Sequence, residues 1–264
     1  MSNRRWFERG AGTRREVLAG SGLAFATATA GCIDDLSAPD GDGADDGNGT
    51  DDGNGTNDGV DELVEDPRVD DPPHDPVRPE PTGDEPWEEW NDDYLGEGMA
   101  TEPTLAFDVV TPVPLAHSEL AGREMELEDD VYSVRLLADA DDVESTLDLE
   151  TAGADERDAL EDVDLEERVV VVVEFGYGSS SVAHRWVRVE STDDEPGPGI
   201  HLHGYDSIPY EQTDDLSTRH SVLIVDRPEG GELAFARVSH TVGEERRVHY
   251  NSTEGIVTLS EESH

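Results

Sequence analysis

Apolar positions are sparse from residue 33 to residue 100 and frequent from 101 to 264, with a separate short apolar stretch at 19–30. In the last part the spacing is mostly that of strands. Residues 131–137 alternate and are rich in β-branched side chains, 168–175 hold five consecutive valines, and 183–190, 200–205, 221–226, 233–242, 247–250 and 255–259 follow, separated by turn-forming residues. The valine run has no polar face, which predicts a central strand covered on both sides, the cover coming from helices. Residues 139–149 supply one, with an acidic first turn that complements the helix dipole and with Val143 and Leu147 on one face. A second short helix is expected over 154–161, with Ala159 and Leu160 toward the sheet. This order predicts an α+β domain over 101–264, a mostly antiparallel β-sheet with one or two short helices. Its 164 residues suffice for one core burying about 70 % of the unfolded chain's surface.

Residues 32–100 read differently. From 33 to 100 there are 24 acidic residues against two basic ones, Arg68 and Arg78, and the hexapeptide Asp-Asp-Gly-Asn-Gly-Thr occurs twice in tandem at 45–50 and 51–56. So little apolar surface cannot offset the entropy of ordering the chain, and the segment is expected to be a disordered acidic tether with a root-mean-square span of roughly 45 Å. At its end, 86–95 concentrates Trp87, Trp90 and Tyr94, an aromatic collar expected to dock on the domain.

Charge changes the picture further. The formal net charge is −47, and all 18 basic residues are arginine. Such charge opposes compaction in dilute buffer, whereas at about 1 M salt the screening length falls to roughly 3 Å. The composition resembles that of proteins from salt-in halophilic archaea. It argues against nucleic acid or anionic lipid as partner, since both are bound through basic patches.

At the N-terminus, Arg14 and Arg15 precede the weakly apolar stretch 19–30, which is too short to span a hydrocarbon core of about 30 Å. The stretch ends in Thr29-Ala30-Gly31-Cys32. This is similar to a twin-arginine (Tat) signal with a lipobox, although Val17-Leu18 stands where Phe-Leu is usual and Thr29 where Leu is commonest. The resemblance implies a signal peptide over 1–31 and lipid attachment at Cys32, which becomes the mature N-terminus on the outer face of the membrane, with two acyl chains giving stable residence. The chain as a whole resembles Tat-exported lipoproteins of halophilic archaea. In an exported chain Asn48, Asn54 and Asn251 are candidate N-glycosylation acceptors. As Cys32 is the only cysteine, disulfides, cysteine-based zinc sites, iron–sulfur clusters and blue copper are excluded from the domain.

Residues 163–171, Gly-Tyr-Gly-Ser-Ser-Ser at 176–181, Trp186-Val187-Arg188-Val189-Glu190 and the strand 220–225 together resemble the PrcB-type domain, over roughly 131–227. That family contains a protease-complex subunit that binds its partner rather than doing chemistry. The sharpest chemical signal is His201-Leu202-His203: alternate strand residues share a face, so two imidazoles could grip one metal, zinc above all, with His220 or Asp206 as third ligand. A cupin-like pattern wants a Glu soon after, but Ile208 and Pro209 stand there. Ser179, Ser180 and Ser181 lie near His184 in sequence without a Gly-x-Ser-x-Gly elbow, which leaves no catalytic residue to name. The expectation is a non-enzymatic module binding an exported protein or a surface polymer, needing no cofactor. The alternative is a metal-dependent hydrolase using the His-x-His strand pair His201 and His203.

Overall fold

The computed structural model describes residues 66–121, 129–194, 196–228 and 232–260. Arg14, Arg15, Cys32, Asn48, Asn54 and the tether up to residue 65 lie outside the described residues. Among the described residues no helix is long and apolar enough to cross a membrane.

The elements are β1 (Val69–Asp70), α1 (Pro86–Glu89), a 3-10 turn (Tyr94–Gly96), β2 (Phe107–Val110), β3 (Asp129–Leu137), α2 (Ala140–Thr146), α3 (Ala154–Glu161), β4 (Arg168–Ser179), β5 (Ala183–Thr192), β6 (Gly199–Ser207), β7 (Leu216–Asp226), β8 (Phe235–Gly243), β9 (Arg246–Asn251) and β10 (Val257–Ser260). They form two five-stranded sheets, β1-β9-β8-β6-β5 and β10-β3-β4-β7-β2. Every pairing is antiparallel except β6 with β8, so the domain is the mostly antiparallel α+β structure expected.

Strand parity explains the layers. On β4, Val169, Val171, Val173 and Phe175 face the first sheet and pack with Val189, Ile200, Leu202, Val238, Val248 and Tyr250 in the main core. Val170 and Val172 face the other way, into a second core with Val143, Leu147 and Leu160 from the α2 and α3 region. The valine strand is therefore covered on both sides, but by helices on one and by a second sheet on the other. Helix α2 starts where expected, because the side chain of Asp139 accepts from the Asp142 N–H at 2.9 Å. Ala159, expected to face the sheet, is exposed.

The boundary expected at residue 100 is corrected. Residues 66–100 lie along the outer face of the first sheet as a strap. Strand β1 pairs with β9 through Val69 opposite Val248 and Asp70 opposite Arg247. The Trp90 indole donates to the Ile208 carbonyl at 2.7 Å, and Tyr94 and Leu95 are buried against Tyr205. At Gly96 an added Cβ would come within 2.3 Å of the Tyr205 ring, so only glycine lets the strap approach this closely. The aromatic collar thus docks through Trp90 and Tyr94, while Trp87 stays 58 % exposed.

Candidate functional site

The outer face of the first sheet, beneath the strap, gathers the domain's polar chemistry. With Ile200 and Leu202 inside, parity puts His201 and His203 outside on β6. The neighbouring strands present Glu190 beside His201, Arg188 beside His203, Ser239 beside His203 on the parallel β8, and His249 beside Ser239 on β9.

These groups form a hydrogen-bonded chain whose polarity follows from who can donate. The Asp70 carboxylate only accepts, so His249 Nε2–H donates to it at 2.8 Å. His249 Nδ1 then accepts from the Ser239 hydroxyl at 2.7 Å, and Ser239 accepts from His201 Nε2–H at 2.7 Å. This leaves His201 Nδ1 with a lone pair, 3.9 Å from Glu190 Oε1. On the other side, Arg247 only donates, so His203 Nδ1 accepts from its Nη2 at 2.8 Å, and His203 Nε2–H donates to Glu190 Oε1 at 2.8 Å. Arg188 Nη2 lies 3.1 Å from the same His203 Nε2 and 3.4 Å from Glu190 Oε1; as both nitrogens then donate, the carboxylate is the acceptor they share. The two imidazole rings lie with centroids 4.0 Å apart, tilted by 35° to each other.

Burial is the main reason both imidazoles resist protonation. His201 is pushed down to about 3 by burial, with His203 and Arg237 adding to the effect. His203 is likewise pushed down to about 3 by burial, then by the charges of Arg188 and Arg247.

Glu190, His201 and His203 bring one ligand atom each within 4.8 Å of one another, so the His-x-His pair does acquire a third ligand, and it is Glu190. The two third ligands expected from sequence are elsewhere. His220 sits on the helix-covered face of the second sheet, donating to the Val113 carbonyl at 2.6 Å. Asp206 is an odd number of residues from His201 and His203 and so points between the sheets, where it accepts from His240 Nε2 at 2.8 Å, with His184 at 3.6 Å. There burial pushes the Asp206 carboxyl up, but the hydrogen bond from His240 and the nearby His240, His184 and Arg219 outweigh it and hold the group below its ordinary range. His184 itself is pushed well below its usual value by burial.

A cation at Glu190, His201 and His203 would meet an obstacle. A metal on His203 Nε2 requires the proton on Nδ1, which would then face the Arg247 donor; a metal on Nδ1 must displace Arg247. Two guanidiniums beside the pair also oppose positive charge.

The order Asp70–His249–Ser239 matches an acid, a base and a nucleophile, yet Ser239 is 1 % exposed and its oxygen is engaged by both His249 and His201. Of the serines at 179–181, Ser179 bonds Ser181 at 2.7 Å and Thr213 at 2.9 Å, while His184 faces inward. Asn251 ends β9, its side-chain oxygen accepting from the Thr253 N–H at 2.9 Å.

Two cavities lie between strap and sheet. The larger, about 490 Å³, is lined by His201, Ser239 and His249 with Arg68, Arg237 and Asp70. The smaller, about 280 Å³, has Arg188, His203 and Arg247 from the sheet and Pro73, His74 and Met99 from the strap. Sequence reasoning found His201 and His203 but missed Glu190, Ser239, His249, Arg188 and Arg247. For Ser239, His249 and Arg247 the available signal was the alternation of Arg237, Ser239 and Thr241, and of Arg247, His249 and Asn251, which marks one polar face on each of two strands. Compared with known proteins, the chain matches no family model, no curated protein and no solved structure.

Proposed function

We propose that the chain is a lipid-anchored lipoprotein of a halophile, exported by the Tat route, that presents a non-catalytic binding domain for an exported protein or a surface polymer. The observation that carries the binding reading is the strap-covered face: Ser239, which stands in a nucleophile's position there, is enclosed between two imidazoles and 1 % exposed. Catalysis by a nucleophile needs an accessible attacking atom beside the base, which this arrangement withholds. The address rests on Arg14, Arg15 and Cys32, and the resemblance of 131–227 to the PrcB-type domain points the same way on function. A Cys32→Ser chain should be released from membranes or remain unprocessed, read by fractionation and intact-mass measurement. Normal anchoring of that variant defeats the lipoprotein reading. In-cell crosslinking of the intact lipoprotein should capture one specific protein or glycan; capture of none defeats the binding reading.

A second reading, a zinc-dependent hydrolase, is favoured by the convergence of Glu190 with the two neutral imidazoles. It expects about one zinc per chain after dialysis in high salt, lost in the His201→Ala/His203→Ala variant. The Arg247 contact to His203 leads us to expect no stoichiometric metal by elemental analysis.

A further inference from the structure

Arg247 is a buried cation with no carboxylate in contact: Asp70, which acts on it through space, is hydrogen-bonded to His249 instead. Arg247 is 6 % exposed, its Nη2 is spent on the neutral His203, and its Nε is buried with no acceptor. No carboxylate among the described residues forms an ion pair with it. Arg188, on the other side of His203, also has a buried Nε with no acceptor, and its charge is shared with Glu190. Both guanidiniums line the smaller cavity, and none of the residues lining that cavity is acidic, in a chain where 65 of 264 residues are Asp or Glu. The larger cavity lacks this character, since Asp70 and Glu254 help to line it.

We propose that the smaller cavity binds a small organic monocarboxylate, held by Arg247 and Arg188 and roofed by the strap. A guanidinium offers N–H groups in a planar fork that matches the two oxygens of a carboxylate, and a buried charge left without a partner opposes folding until an anion meets it. The charge balance favours one negative charge: Glu190 offsets Arg188, His203 is neutral, and Arg247 is met only from a distance by Asp70, whose carboxylate is engaged by His249. The walls select an organic body over a bare ion, because Pro73, Met99 and Ala100 offer apolar surface, and about 280 Å³ is at the lower end of small-molecule pockets. Recognition works at short range, since a screening length of roughly 3 Å at 1 M salt removes steering from afar. As the sheet supplies the floor and the strap the roof, a bound carboxylate ties the strap down. This inference rests on the cavity alone and is independent of the macromolecular partner proposed above.

The test uses the full chain in molar sodium chloride, with sodium propionate as probe and sodium phosphate and extra sodium chloride as controls at matched ionic strength. Calorimetric titration should show saturable propionate binding, and limited proteolysis should show slower cleavage within 66–100 when propionate is present. Arg247→Gln should weaken binding tenfold or more. Met99→Trp, which fills the cavity and keeps both arginines, should do the same and carries the test if Arg247→Gln fails to fold. The proposal is overturned if propionate does not bind saturably, if phosphate or chloride protects the strap equally, or if either variant, folded by circular dichroism, binds like the parent.

Discussion

His201 and His203 carry the domain's clearest pH signature. Both imidazoles are held neutral down to about 3 on folding, chiefly by burial, whereas in the unfolded chain they take up protons below about 6.5. A folded value below the unfolded one means that the stabilisation is present above pH 6.5 and is lost as the pH falls toward 3. The slope is at most about 1.4 kcal/mol per pH unit for each imidazole. Melting in high salt should therefore begin to fall as the pH drops from 6.5 to about 5.5, before ordinary carboxylates near 4 titrate appreciably, and the His201→Asn/His203→Asn variant should flatten that part of the fall. An unchanged slope in the variant counts against the buried, neutral state of the pair. The pair itself was legible in the sequence, because i and i+2 on a strand share a face. Its surroundings were not: Glu190, Ser239 and Arg247 become neighbours through pairings between strands, which no local pattern encodes.

The strap is the element on which sequence and structure differ most. Its composition is that of a tether, and the few apolar residues that bind it, Trp90, Tyr94 and Leu95, are too sparse to predict an ordered path over 66–100. What orders it is a surface already present, the outer face of β6 with Tyr205, together with the short pairing of β1 on β9. Gly96→Val, which places carbon where the Tyr205 ring lies, and Trp90→Ala, which removes the indole bond to Ile208, should each speed proteolytic cleavage between 66 and 100 at least severalfold. Most of the sheet should keep its strand signal by circular dichroism. Cleavage at the parent rate in both variants means that the strap is held by other contacts. The strands from β3 onward and helices α2 and α3 were legible to within a few residues, because alternation, the acidic first turn and the Asp139 cap are local signals. Short edge strand β2 and the two-residue β1 carry too few alternating positions to be read.

At the scale of the molecule, a net charge of −47 is the dominant physical fact. Carboxylates that repel one another in the folded domain are less crowded in the unfolded chain, so lowering salt should destabilise the fold. The denaturation midpoint of the full chain should drop steadily as sodium chloride is reduced from about 3 M to 0.1 M, and neutral sucrose should restore less of it than salt does. A flat salt dependence excludes repulsion as the factor limiting stability.

By itself, the sequence determined where the strands from β3 onward and helices α2 and α3 form, and that the domain is β-rich, since these depend on neighbours one to four residues apart. Tertiary structure alone decided that there are two sheets, that the valine strand lies between a sheet and helices, and that β8 runs parallel beside β6 after the chain has crossed to the other sheet as β7. It also sorted the polar residues, sending Asp206 into the seam between the sheets, His220 to the helix-covered face, and His201 and His203 to the strap with Glu190 and Arg247. The reason is that side-chain direction follows local parity, while the neighbours a side chain meets follow from pairings between distant segments.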